Sequence, residues 1–150
     1  MDEANTKKHH TWVSNTPITW ECCADTLLLG ASVLVEKSRS PRSLSDGPEN
    51  TEPSFTMLRP VAFMLQGMAV ECLMKALWVK NGKELSDEGE FEKIPNTSDG
   101  HDLVLLAKAN SFQLSEGEEG LSVRLTHFIR YGGRYPAPKG WNKYIVGPEK

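Results

Sequence analysis

The sequence lacks the features that mark several classes of protein. No uninterrupted apolar run approaches the roughly 20 residues that a helix needs to span a bilayer, and the opening residues MDEANTKKHH contain no apolar stretch typical of a secretory leader. An excess of basic residues is also missing, since the net charge is -3. Contact with nucleic acid would therefore need a local basic patch or a dimer. We expect a cytoplasmic protein that makes no membrane contact.

Cysteine is scarce as well. Of the three cysteines, Cys22 and Cys23 are adjacent and Cys72 is distant. This arrangement fits neither a disulfide framework nor the Cys-x-x-Cys spacing of zinc and redox sites. We expect reduced and mostly buried thiols, because a free cysteine behaves as a small hydrophobe.

Motifs for several kinds of catalysis are absent too. The sequence contains no Gly-rich phosphate-binding loop, no Gly-x-Ser-x-Gly turn, no His-Glu-x-x-His helix and no acidic cluster with metal-ligand spacing. A dedicated catalyst of these types is therefore not expected, and we predict neither a metal site nor a cofactor.

What the sequence does contain is a series of helical segments. With 150 residues, 39% of them hydrophobic and 25% charged, the chain suits one domain over residues 1–150. Apolar spacing and capping residues predict no strand and four helices, in the segments NTPITWECCADTLLLGASVLVEKSR, RPVAFMLQGMAVECLMKALWVKNG, SDGHDLVLLAKANSF and SEGEEGLSVRLTHFIRYG. We predict an all-α bundle of four or five helices. Residues 1–14 are expected to be flexible, residues 40–54 to form a mobile loop, and residues 137–150 to form a tail that covers the bundle.

The second predicted helix is the most informative segment. Pro60 suits its first turn and Gly82 suits its C-terminal cap. Apolar residues lie almost all round it, so we expect it to be central. Glu71 and Lys75 are one turn apart among large apolar residues, in the favourable order for an ion pair. A subunit interface or a site is predicted at this pair.

Capping residues also position the last two predicted helices. Asp99 or His101, together with Asp102, suits the first turn of the third helix. Ser115 and Glu118 have the spacing of a capping box at the start of the fourth helix. The apolar stripe of the fourth helix is predicted to consist of Leu121, Leu125, Phe128 and Ile129.

The fourth predicted helix leads into the segment IRYGGRYPAP, whose glycines and proline are expected to form an ordered C-terminal cap. Gly132 and Gly133 can adopt the positive φ that closes a helix, and Pro136 prevents the helix from resuming. Arg134 is thereby placed near the negative end of the helix dipole. Two roles stay open for Arg134, a cap that bonds the last carbonyls and an anion contact near His101.

Three segments in succession resemble the prokaryotic branch of the HEPN superfamily. They are a central helix with GMAVECLMKALWVKNG, then GHDLVLLA, then a helix that ends in GRYP, and together they cover roughly residues 62–136. The resemblance implies a small helical bundle that usually dimerises. Many members of the superfamily are ribonucleases in toxin-antitoxin or phage-defence systems, whereas others are non-catalytic modules that bind nucleic acid or nucleotides.

The sequence departs from the nuclease signature of that superfamily, an arginine followed by four to six residues and a histidine. Arg124 and His127 are separated by only two residues, and a changed helical spacing turns the base away from the charge-stabilising cation. The resemblance therefore implies a non-catalytic, dimeric module that binds RNA, a nucleotide or a partner protein encoded nearby. The alternative is a divergent, metal-independent ribonuclease or phosphodiesterase.

The residues on which these hypotheses depend are polar and scattered along the chain. The ligand-binding candidates are His101, Arg130, Arg134 and Tyr135. The catalytic candidates of the alternative are His101, His127, Arg124 and Arg134. The interface candidates are Glu71 and Lys75.

Overall fold

The computed structural model describes residues 2–39, 58–97 and 100–132. Of these residues 74% are helical, which agrees with the predicted all-α class. The α-helices within them are α1 (Glu3–Ser14), α2 (Pro17–Arg39), α3 (Leu58–Lys80), α4 (Leu103–Ala109) and α5 (Glu116–His127). A π-helical turn, Phe128–Gly132, follows α5 directly. Two short strands, β1 (Ser86–Asp87) and β2 (Glu90–Phe91), pair antiparallel with Ser86 opposite Phe91. The predicted loop at 40–54 and the predicted tail at 137–150 lie outside the described residues.

The capping residues read from the sequence begin the helices as predicted. Pro17 is the first residue of α2, and Pro60 lies in the first turn of α3. Asp102 is the N-cap of α4, where its carboxylate accepts a hydrogen bond from Leu105 N at 3.1 Å. Ser115 and Glu118 form the predicted capping box at the start of α5. Local side chain to backbone bonding therefore sets these boundaries.

The long helix α3 is central, as its all-round apolar character predicts. It packs against α2 along its length and against α4, α5 and the π-helical turn on other sides. The largest cluster of buried apolar residues is shared by α3, the β1 region, α4 and the end of α5, and consists of Trp78, Val79, Leu85, Ile94, Leu103, Leu106, Leu125 and Ile129. The buried positions between α2 and α3 are small, with Ala24 and Ala31 on α2 and Ala69 on α3.

Gly67 lets the end of α5 approach α3. A Cβ at this position would lie 2.8 Å from Ile129 Cγ1 and 3.2 Å from the carbonyl oxygen of Leu125. Ile129, in the π-helical turn, is only 1% exposed. The glycine within α3 is thus a packing requirement, because it lets the turn that carries Arg130 lie close to α3.

The N-terminal segment differs from the sequence-based expectation of a flexible terminus. Residues 3–14 form α1, which Asp2 caps by accepting a hydrogen bond from Asn5 N at 2.8 Å. Long-range contacts hold the segment in place, since Asn15 Oδ1 accepts from Leu85 N at 2.7 Å and Asn15 Nδ2 donates to Ser86 O at 2.7 Å. The side chains responsible for this order are polar, so no apolar periodicity predicted the helix.

The β-hairpin is a second difference, since the sequence predicted no strand. Glu88 and Gly89 both have positive φ, 45° and 84°, as a two-residue hairpin turn requires. Gly89 lies against α1, where its N–H donates to Thr11 Oγ1 at 2.9 Å. A Cβ at Gly89 would be 3.1 Å from the Cα of Lys7. Packing against α1 therefore stabilises two-residue strands that are too short to show a period in the sequence.

One member of the apolar stripe predicted for α5 is misplaced. Leu121 is 53% exposed, whereas Leu125 and Ile129 are buried together with Ser122 and Thr126. The buried Thr126 contacts α4, where its Oγ1 accepts a hydrogen bond from Leu103 N at 3.1 Å. The prediction for Leu121 was therefore wrong, because apolar spacing could not reveal which side of α5 meets α3.

Both long helices, α2 and α3, are strongly apolar. By length and composition α2 and α3 could each cross a membrane, with a mean hydropathy of 1.5 and 1.3 in an 18-residue window. Core helices of soluble proteins share these properties, and 39% of the α3 window is buried against 11% of the α2 window. The absence of membrane contact and the cytoplasmic location therefore stay predictions.

Candidate functional site

The most unusual group in the described structure is a buried carboxylate. Glu71, on α3, is only 7% exposed. Its Oε1 accepts a hydrogen bond from Lys75 Nζ at 2.6 Å, and its Oε2 lies 2.9 Å from His101 Nδ1. Both carboxylate oxygens thus have a partner, as a buried charge requires. An ionised carboxylate only accepts hydrogen bonds, so Nδ1 of His101 is the protonated ring nitrogen.

The local fold brings these three residues together. Glu71 and Lys75 lie one turn apart on α3, and the predicted ion pair is confirmed with a Lys75 side chain only 13% exposed. His101 comes from the segment that enters α4. Gly100 before it has a φ of 75°, a conformation that favours glycine. Thr126 of α5 holds the start of α4 by accepting from Leu103 N at 3.1 Å.

Two aromatic rings surround the ammonium group of Lys75. Its Nζ lies 5.1 Å from the ring centroid of Trp20 and 5.6 Å from that of Phe91. The two rings meet edge to face at 6.0 Å, and Trp20 Nε1 donates to Ser14 O at 2.8 Å. Lys75 is therefore held between α2 and β2 by cation–π contacts as well as by Glu71.

This cluster opens into a cavity of about 300 Å³. Its lining combines cationic, aromatic and backbone groups, from Lys75, Phe91, Glu92, Lys93, Ile94, Gly100 and His101. The side chain of His101 is 40% exposed, so it reaches from the buried carboxylate to solvent. A larger cavity of about 500 Å³ lies between α1 and Glu88, but the ionisable groups that line it are exposed side chains. The smaller cavity is the better candidate site because two residues of its lining, Lys75 and His101, are both bonded to the buried carboxylate of Glu71.

Arg130 lies near this site through a second ion pair. Its Nη2 is 3.6 Å from Asp102 Oδ2, and the side chains are 25% and 26% exposed. Asp102 is the chain neighbour of His101 and also caps α4. The structure thus brings two of the predicted ligand-binding residues, His101 and Arg130, to the same end of the molecule.

The catalytic candidates on α5 are not part of the cavity wall. Arg124 is exposed. The His127 ring lies 5.9 Å from the rings of Phe128 and Tyr131, and burial lowers the pKa of His127. The other candidates, Arg134 and Tyr135, lie outside the described residues.

Sequence reasoning missed three members of the site. Trp20 lies in an apolar helical segment, where a tryptophan is expected to pack in the core, and Phe91 and Lys93 lie in the charged stretch between the second and third predicted helices. The one signal in this stretch was Gly89, since glycine readily adopts the positive φ of a tight turn. In the described ranges no three His, Cys, Asp or Glu side chains lie together in a way that could hold a metal ion.

Comparison with known proteins assigns no family to the chain. No family model matches the chain, and neither a curated protein nor a solved structure matches it.

Proposed function

We propose that the protein is a non-catalytic, HEPN-like helical bundle that binds a nucleotide through its phosphate at the cavity beside Glu71. The observation that carries this proposal is the arrangement of Lys75 and His101, both held on one buried carboxylate at the wall of a cavity. Groups held in this way keep one geometry without a ligand, so binding loses little side-chain entropy.

The chemistry of the wall suits a phosphate. The Lys75 ammonium has three hydrogen-bond donors, of which Glu71 accepts one. Lys93 adds a second cation to the lining, and His101 adds a ring that is partly exposed. Glu71 and Glu92 offset part of this positive charge, so hydrogen-bond geometry rather than net charge would select the ligand.

The size and shape of the cavity favour a nucleotide over a long RNA. About 300 Å³ lies at the lower end of small-molecule sites. The Phe91 ring lines the cavity and is 50% exposed, which leaves an aromatic surface for a base to stack on. A single nucleotide unit, free or at the end of an RNA strand, fits both features.

One observation favours the alternative, a metal-independent phosphodiesterase. A carboxylate that bonds Nδ1 of a histidine orients the ring as a general base, and Glu71 stands in that relation to His101 with the Lys75 cation nearby. We rank this reading second because Arg124 and His127, the residues nearest to the superfamily signature, do not line the cavity.

We also propose that two copies associate through the outer face of α2. Ile18, Leu29 and Val33 are each more than half exposed, and at 3.6 residues per turn they lie within about 60° of one another on the helix. An apolar stripe of this kind is typical of a helix that packs against a partner. Light scattering should give a dimer at micromolar concentration, and Leu29→Glu should give a monomer. A wild-type monomer would contradict this part of the proposal.

The cellular setting is proposed from the resemblance alone. A toxin-antitoxin or phage-defence role, with a partner protein encoded nearby, is consistent with a small dimeric module. An adjacent reading frame for a nucleotidyltransferase-like or antitoxin-like protein would support it, and co-purification of the two products is the direct check.

The two functions are separated by following binding and cleavage together. Purified protein is titrated with adenosine 5′-monophosphate and with a short RNA in the absence of metal, and the RNA is then examined for products. Binding of the nucleotide with intact RNA is the expected result. Cleavage that is lost in His101→Gln but kept in His9→Gln, a histidine on the exposed part of α1, would establish the phosphodiesterase instead.

A further inference from the structure

Two cysteines from different helices face each other beside the candidate site. The Sγ atoms of Cys23, on α2, and Cys72, on α3, are 3.7 Å apart, with the Cys72 thiol as donor. Cys23 is exposed and Cys72 is buried. The expectation of mostly buried thiols is therefore wrong for Cys22 and Cys23, which both reach solvent.

The packing around the pair keeps the two sulfurs close. Cys72 belongs to a small buried cluster with Ala24 and Ala69, each 0% exposed. Because those side chains are small, the α2 and α3 backbones approach closely here. A disulfide needs sulfurs about 2.05 Å apart, so the two sulfurs, now 3.7 Å apart, would have to move closer by less than about 2 Å.

We propose that Cys23 and Cys72 form a reversible intramolecular disulfide when the protein meets hydrogen peroxide, so that oxidation cross-links α2 to α3. Disulfides of reducing compartments are usually transient and redox-sensing. A transient disulfide of this kind suits the pair, because the accessible Cys23 thiol lies in contact with the buried Cys72 thiol. The proposal does not depend on the nucleotide site.

The environments of the two thiols set the order of the steps. Burial and the hydrogen bond to Cys23 raise the pKa of the Cys72 thiol to about 12, so Cys72 is almost entirely protonated at neutral pH. The Cys23 thiolate attacks one peroxide oxygen, an S–O bond forms, the O–O bond breaks, and the departing hydroxide takes up a proton to become water. Cys23 is then a sulfenic acid.

The second step uses the contact that already exists. The Cys72 thiol passes its proton to the hydroxyl oxygen of the Cys23 sulfenic acid while its sulfur attacks the sulfenic sulfur. The S–S bond forms, the S–O bond breaks, and the protonated hydroxyl departs as water. In total two thiols and one hydrogen peroxide give one disulfide and two waters, with the sulfurs oxidised and the peroxide reduced.

The cross-link would join α3, which carries Glu71 and Lys75, to α2, whose Trp20 ring lies 5.1 Å from Lys75 Nζ. Cys72 directly follows Glu71 on α3, and Cys23 lies three residues after Trp20 on α2. Oxidation would therefore fix the Trp20 side of the Lys75 environment against α3. The third cysteine, Cys22, is an exposed neighbour of Cys23 and serves as a built-in control.

The test is a thiol count on the full chain before and after treatment with hydrogen peroxide, quenched in acid and denaturant. Wild type should fall from three free thiols to one, as a monomer on non-reducing gels, and dithiothreitol should restore all three. Cys22→Ser should fall from two to none. Cys23→Ser, a substitution at an exposed position, should form no disulfide.

Peptide mapping and melting complete the test. The oxidised wild type should contain a linked pair of peptides from α2 and α3 and should have a higher melting temperature than the reduced protein, since the bond closes a long loop. A thiol count that stays at three, a bond that persists in Cys23→Ser, or a disulfide between two chains would each overturn the proposal.

Discussion

Glu71 and His101 are 30 positions apart in the chain, and Oε2 of the first lies 2.9 Å from Nδ1 of the second. Their contact joins the central helix α3 to the entry of α4. Because Lys75 occupies the other oxygen of Glu71, one buried carboxylate holds two residues of the cavity wall, Lys75 and His101. The candidate site therefore depends on the stability of this one charged group.

Removing the charge of Glu71 should destabilise the fold strongly. Glu71→Gln leaves the Lys75 ammonium, on a side chain only 13% exposed, without its counterion. Breaking one partner of a buried ion pair costs about 3 kcal/mol or more. The matched control is Glu119→Gln, whose partner Lys108 is 4.0 Å away with both side chains more than half exposed, and which should cost below about 1 kcal/mol. Urea unfolding measures both, and equal losses would show that Glu71 is not the buried centre described.

Replacing Gly67 and Gly120 by alanine should change the stability of the protein in opposite directions. Both lie inside helices, where replacing glycine by alanine ordinarily stabilises a protein by roughly 0.5–1 kcal/mol. At Gly120 nothing lies within 4 Å of the new Cβ, so Gly120→Ala should stabilise. At Gly67 the new Cβ meets Ile129 Cγ1 at 2.8 Å, so Gly67→Ala should destabilise by about 1–3 kcal/mol. Thermal melts measure both effects. A melting temperature that rises in both variants would contradict the close contact of α3 and the π-helical turn.

Stability should fall in mild acid because of His127. Burial lowers its pKa in the folded protein from the ordinary 6.5, so in the window below about pH 6.5 the unfolded chain binds more protons than the folded one. The free energy of unfolding then rises with pH through this window and levels off above it. His127→Gln should be less sensitive to pH between about 5 and 7 than wild type. Urea midpoints across this range check it, and identical pH profiles would contradict the burial of His127.

Asn15 should hold the N-terminal helix to the rest of the molecule. Its amide exchanges hydrogen bonds with the backbone of Leu85 and Ser86, both 0% exposed. Asn15→Ala would leave these buried backbone groups without partners, at a cost of about 1–3 kcal/mol each. Hydrogen exchange should show faster amide exchange in α1 and β1, while Asn5→Ala, at an exposed position, should change it little. Unchanged protection in Asn15→Ala would show that α1 is held by other contacts.

The sequence could predict those parts of the fold that depend on residues close together in the chain. Pro17, Asp102 and the Ser115–Glu118 box act within one turn of where they stand, so helix starts could be read directly. The Glu71–Lys75 ion pair is local in the same sense, since both residues lie on one helix. Predictions of this kind succeed because the partners are fixed by helix geometry alone.

The rest depends on contacts between distant segments. His101 reaches Glu71 only after α4 docks, and Phe91 reaches Lys75 only because the hairpin packs on α1. The inward side of α5 is set by its packing against α3 and α4, and that packing leaves Leu121 facing solvent. None of these pairings has a period or a spacing in the sequence, so only the tertiary structure could reveal the candidate site.

The central claim is that the cavity beside Glu71 binds a nucleotide through its phosphate. Isothermal titration with adenosine 5′-monophosphate and with adenosine, on wild type, Lys93→Gln and Lys80→Gln, tests it most directly. Lys93 lines the cavity, whereas Lys80 is exposed at the end of α3 and serves as the matched control.

We expect wild type and Lys80→Gln to bind the monophosphate equally, and Lys93→Gln to bind it roughly tenfold more weakly, because a hydrogen bond to a charged group contributes about 1.5 kcal/mol or more. Adenosine should bind wild type more weakly than the monophosphate does. No binding of the monophosphate to wild type, or equal binding to Lys93→Gln and Lys80→Gln, would contradict the proposed site.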